Sequence, residues 1–128
     1  MLSAGKLRMA SGGGGTLDTQ TVTSATTGIP GDRVRGYGGG TGGSISDGTS
    51  NIYSGAAITA MYVDDGAGEF YLSITGATNT GWTTMTNATD GHSLSRSAAS
   101  FSGGTWTWAG QTLNGFFGAN GAKTINFT

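Results

Sequence analysis

The sequence predicts an all-β fold: one β-sandwich, jelly-roll-like domain with a glycine-rich N-terminal arm. Three observations predict it. Apolar residues alternate with polar ones in short runs, the spacing that puts every second side chain on one face of a strand. Glycine punctuates these runs, at 26 of 128 residues against a usual share of roughly 7%. No segment carries a 3.6-residue apolar period, so helix should be minimal.

Composition sets further bounds. Charged residues make up 10% of the chain, where roughly 25% is usual. A disordered chain would be rich in charge and poor in aromatics. This one has three Trp, four Tyr and five Phe, enough to build a core. Ser and Thr supply about a quarter of the residues, Thr favouring strands and Ser favouring turns. A net charge of −1 gives no electrostatic drive toward nucleic acid or an anionic membrane. With no cysteine, thiol catalysis and Cys-based metal sites are excluded. No apolar run reaches membrane-spanning length. The opening M-L-S-A-G-K-L-R-M-A-S has positive charges but no apolar core, so it does not read as a secretory signal. A protein of this kind working outside a bacterium is expected to leave by lysis or inside a particle.

Residues 1–16 form the arm. Leu2, Leu7 and Met9 are scattered apolar residues with Lys6 and Arg8 among them, and Gly12 to Gly15 read as a flexible joint. A frayed terminus and an assembly arm that docks on a neighbouring subunit are the two readings. The domain spans residues 17–128. Leu17 to Thr23 predicts a largely polar strand, suited to an edge or a solvated face. Pro30-Gly31-Asp32 predicts a turn. Arg33 to Tyr37 predicts a short strand whose two Arg residues share a face, either solvated or partner-binding. Gly38 to Ser50 predicts a surface loop. Its glycines lack the preceding strand, the following helix and the G-K-[ST] of a phosphate-binding loop.

Ala57 to Thr75 is the organising stretch, a hairpin turned at Asp64-Asp65-Gly66-Ala67-Gly68. Its first strand is expected to place Ile58, Ala60 and Tyr62 on one face, with Thr59, Met61 and Val63 on the other. Its second strand puts Phe70, Leu72 and Ile74 on one apolar stripe. Shorter strands follow at Trp82–Thr86, His92–Arg96, Thr105–Trp108 and Lys123–Thr128. Phe116 and Phe117 are expected to anchor the loop from Gly110 to Gly121.

Catalytic groups are scarce. Asp90, His92 and Ser93 are near in sequence, but a triad is a spatial arrangement, and a turn histidine is the simpler reading. Asp64, Asp65 and Glu69 cluster on a turn, the wrong setting for paired glycosidase carboxylates. They form a plain turn or ligate calcium through several oxygens; the spacing is not that of an EF-hand. No catalytic group, cofactor or metal is assigned. Trp82, Trp106 and Trp108 either fill the core or form an exposed platform for sugar rings.

The strands G-A-A-I-T-A-M-Y-V, G-W-T-T-M-T and G-T-W-T-W-A, with the segment L-S-R-S-A-A-S-F, resemble β-rich modules of tailed-bacteriophage virion proteins. The resemblance runs from Gly55 to Phe117, about half of the chain. It implies a non-enzymatic structural protein on the exterior of a phage particle, made in the host cytoplasm. Such a subunit would serve as a capsid decoration or cement, or as a tail fibre or adaptor piece. The implied partners are the major capsid or tail proteins and further copies of the chain, as a cyclic homo-oligomer such as a trimer, with no nucleic acid and no membrane. A receptor-recognition module binding host surface glycan is the alternative.

Overall fold

The computed structural model of the chain describes residues 15–25, 34–35 and 48–128. Two antiparallel sheets face each other. Strand β1 is Asp18–Ser24, β2 Val34–Arg35, β3 Gly48–Thr49, β4 Ala57–Asp64 and β5 Glu69–Ile74. Then come β6 Thr84–Asn87, β7 His92–Ser95, β8 Ser100–Ser102, β9 Thr105–Ala109 and β10 Gly121–Phe127. The six-stranded sheet runs β2-β4-β5-β9-β8, with β3 also paired to β4, and the four-stranded sheet runs β1-β10-β6-β7. The helix content among the described residues is one 3-10 turn, Arg96–Ala98. The polar strand expected near residue 17 is an edge strand. Of the other expected elements, the Pro30 turn and most of the Gly38–Ser50 loop lie outside the described residues.

The hairpin forms where its pattern placed it, with one correction. The expected shared face of Ile58, Ala60 and Tyr62 is broken by a β-bulge between Ile58 and Ala60. An extra residue in one strand resets its alternation. Ile58, Met61 and Val63 are therefore buried, while Tyr62 turns outward. On β5 the alternation is unbroken, and Phe70, Leu72 and Ile74 all point inward. Trp106 and Trp108 on β9 register against Leu72 and Phe70, so the aromatic rungs continue into the next strand.

Across the interior, Val22, Met85, Ile125 and Phe127 of the four-stranded sheet meet this apolar face. Trp82 precedes β6 rather than lying within it, yet its ring stands edge-on to Phe127 at 5.2 Å and to Trp106 at 5.3 Å. Phe116 packs edge-on to Phe70 at 5.0 Å, so the long loop before β10 is pinned from inside as expected. Each buried large side chain contributes about 1.5–3 kcal/mol, which makes this aromatic seam the main source of stability. The β8–β9 turn needs glycine. Gly103 and Gly104 have φ of 56° and 85°, the paired left-handed conformations of a two-residue hairpin. A Cβ on Gly104 would stand 2.7 Å from the Ile74 carbonyl oxygen.

Candidate functional site

The tryptophans give no platform. Trp82, Trp106 and Trp108 are all buried in the core. Trp106 Nε1 donates to Asn79 Oδ1 at 2.9 Å and Trp108 Nε1 to the Ser95 carbonyl at 2.8 Å. Indole rings closed off in this way leave no face for a sugar, so a glycan-facing role for them is set aside. Among the described residues, Tyr62 and Tyr71 are outward-facing aromatics paired across β4 and β5. Their rings stack with centroids 4.9 Å apart, and both are half-buried. The Tyr71 hydroxyl donates to Glu69 Oε1. That hydrogen bond, with a smaller cost of burial, raises its pKa well above the usual phenol value. Sequence reasoning missed this pair because the bulge hides Tyr62's outward parity.

The assembly-arm residues Leu2, Lys6, Leu7, Arg8 and Met9 lie outside the described residues. At the arm's end, Gly15 and Leu17 border a cleft of about 370 Å³ shared with Trp82, Thr83, Arg96 and Thr128. Leu17 is 48% exposed, the one large apolar side chain so exposed among the described residues. Arg96 donates through Nε to the Trp82 carbonyl and through Nη1 to Asn79 Oδ1 at 3.0 Å, which ties the Asn79 loop to the rim.

The turn carboxylates are occupied in shaping loops. Asp64 Oδ1 accepts from the Ala67 N–H at 3.0 Å, and Asp65 Oδ1 from the Leu113 N–H at 3.1 Å. Among the described residues no group of three or more His, Cys, Asp and Glu side chains stands together as a metal site. Asp90, His92 and Ser93 do not converge. His92 Nδ1 faces the Phe116 carbonyl at 3.2 Å, and Ser93 Oγ pairs with Thr86 Oγ1 at 2.9 Å on the opposite, outward face.

Asp90 instead joins two residues the sequence did not single out. Lys123 Nζ stands 2.7 Å from Asp90 Oδ2, with the lysine side chain 4% exposed and the aspartate 25%. Asn87 is fully buried. Its Nδ2 donates to the same Asp90 Oδ2 at 2.7 Å and to the Phe116 carbonyl at 2.9 Å. Its Oδ1 accepts from the Thr89 N–H at 3.1 Å and the Asp90 N–H at 3.2 Å. The Lys123 ammonium first, then the Asn87 amide, holds the Asp90 carboxyl below its ordinary pKa. One signal could have flagged Lys123. It shares strand parity with Ile125 and Phe127, which places it on the inward face.

The outer face of the same sheet is its opposite. Thr19, Asn126, Thr86 and Ser93 lie in one cross-strand row. Thr21 pairs with Thr124, and Thr84 with Ser95, in neighbouring rows. Thr19 donates to Asn126 Oδ1 at 2.9 Å. None of these side chains is charged. No protein-family model, no curated protein and no solved structure matches this chain.

Proposed function

We propose that the protein is a non-enzymatic structural subunit of a tailed-phage particle, held on the capsid or tail by contacts between uncharged β-surfaces. The observation that carries this reading is the hydroxyl- and amide-lined outer face of the four-stranded sheet, which ends in the edge strand β1. A face without charge suits packing against a neighbouring protein, because no buried charge needs compensation. Particle symmetry would repeat such a modest contact many times and make attachment firm. The arm at residues 1–16 and copies of the chain as a cyclic oligomer belong to the same reading.

Antibody labelling of purified particles by electron microscopy tests it. Label at regular positions on capsid or tail is the expected result. Particles that contain the polypeptide by mass spectrometry only as a removable contaminant would end the proposal.

A second reading, glycan binding, is favoured by one observation: the stacked and outward Tyr62–Tyr71 pair. Tyrosine rings offer an apolar face for sugar C–H groups and hydroxyls for hydrogen bonds. A neutral-oligosaccharide panel read by tyrosine-region NMR shifts should then respond, and Tyr62→Ala should abolish the response. A silent panel removes this reading.

A further inference from the structure

We propose that Lys123 and Asn87 join through an intramolecular isopeptide bond formed inside the folded domain, with Asp90 carrying the protons. The inference is independent of the virion reading, since it rests on one cluster. Asn87 registers against Ile125 on β10, and Lys123 lies two residues further along the same inward face. Diagonal cross-strand neighbours are about 7–8 Å apart, within reach of a lysine side chain. One carboxylate oxygen, Asp90 Oδ2, sits 2.7 Å from Lys123 Nζ and 2.7 Å from Asn87 Nδ2. The amine and the amide nitrogen are therefore no further apart than those two contacts laid end to end.

The amide is held as an acyl-transfer substrate needs to be. Two backbone N–H groups, those of Thr89 and Asp90, bind its carbonyl oxygen. They are placed to stabilise the negative charge that develops there on attack, the role of an oxyanion hole. The nitrogen that must leave already donates to the carboxylate that can protonate it. Hydrogen bonds at both ends fix the group's orientation, which removes much of the entropic barrier. Burial of Asn87 and Lys123 keeps competing water away from the carbonyl carbon. Gly118 borders the cluster; a Cβ there would come 3.1 Å from Asp90 Oδ1.

The step balances without any added reagent. The Lys123 ammonium gives a proton to Asp90, and the resulting amine attacks Asn87 Cγ. The C–N bond to Lys123 forms and the tetrahedral intermediate loses its extra proton through the Asp90 carboxyl group to Nδ2. The Cγ–Nδ2 bond breaks, and ammonia departs, taking the remaining proton as ammonium. Asp90 ends as a carboxylate. Asn87 is the electrophile rather than Asp90, because its carbonyl oxygen is the one that two backbone N–H groups hold.

The test is mass spectrometry on the purified full chain, denatured before measurement. The expected result is a loss of one ammonia, ~17 Da. Trypsin should leave residues 36–96 joined to residues 97–128, with no cut at Lys123. A succinimide at Asn87 would also lose ammonia but would leave the two peptides separate and would persist in Lys123→Met. An unchanged mass after prolonged incubation, or a loss that survives Lys123→Met, overturns the proposal. Asp90→Asn retains both partners, and circular dichroism reports whether it folds. Linking in this variant should slow by about 100-fold or more; linking at the parent rate in a folded Asp90→Asn protein overturns the part assigned to Asp90.

Discussion

The inner faces of the two sheets are built on different terms. That of the six-stranded sheet is apolar, with Ile58, Met61, Val63, Phe70, Leu72, Ile74, Trp106 and Trp108 all buried. That of the four-stranded sheet sets Asp18, Gln20, Ser24, Asn87 and Lys123 among Val22, Met85, Ile125 and Phe127. Burying polar groups is costly unless they are hydrogen-bonded or paired, and of these side chains the Ser24 hydroxyl alone lacks a partner. The first face therefore stabilises the domain, and the second specifies geometry and carries what chemistry the domain has. Within the second face, two carboxylates are satisfied differently. Asp90 faces an ammonium. Asp18 has neutral donors: the Asn51 N–H at 2.9 Å, Asn51 Nδ2 at 3.3 Å and Gln20 Nε2 at 3.2 Å. Those bonds pin the chain before β4 onto the edge strand β1.

Substitutions can break this contrast. The largest effect is expected on the apolar face: Trp106→Ala should cost about 3–5 kcal/mol in urea unfolding, from lost burial and the cavity left behind. Asp18→Ala comes next, at about 2–3 kcal/mol, because it removes a buried carboxylate that accepts three hydrogen bonds. Amide exchange at Asn51 should accelerate in that variant. Gly104→Ala should cost about 1–3 kcal/mol by combining a disfavoured φ with a backbone clash, read as a lowered thermal midpoint. If it is neutral, the β8–β9 turn is not as tight as the 2.7 Å approach implies.

The smallest effect sharpens the comparison through pH. Asp90 has a folded pKa below its ordinary 3.8. A depressed carboxyl pKa gives stability that is present above the unfolded value and lost as pH falls through the folded one. The stability difference between the parent and Asp90→Asn should hold steady near neutrality and shrink below about pH 4. In chains carrying the Lys123–Asn87 link, the ammonium is gone and this acid dependence should weaken. In chains shown by mass to be unlinked, a difference that does not change with pH would mean that the contact with Lys123 does not hold in solution.

Much of the fold was legible in period-two patterns. The Ala57–Thr75 hairpin, the Phe70-Leu72-Ile74 stripe, the Thr105–Trp108 strand and the Phe116-Phe117 anchor follow from alternation and glycine turns. Tyr62 was misplaced because a bulge adds a residue without changing composition, so alternation read straight through Thr59. Trp82 could not be assigned from pattern either, because it lies just outside β6 and enters the core by the path of its loop.

The sequence by itself determined that the chain is all-β, that its charge is low and that its aromatics sit at strand spacing. Those are local properties, set by side chains that must alternate sides of a pleated backbone. Only the tertiary structure decided that the tryptophans face inward and that Lys123 meets Asn87 and Asp90. The physical reason is register: cross-strand partners distant in the chain are fixed by which strands pair and at what offset, and one residue of slip would turn Lys123 out to water.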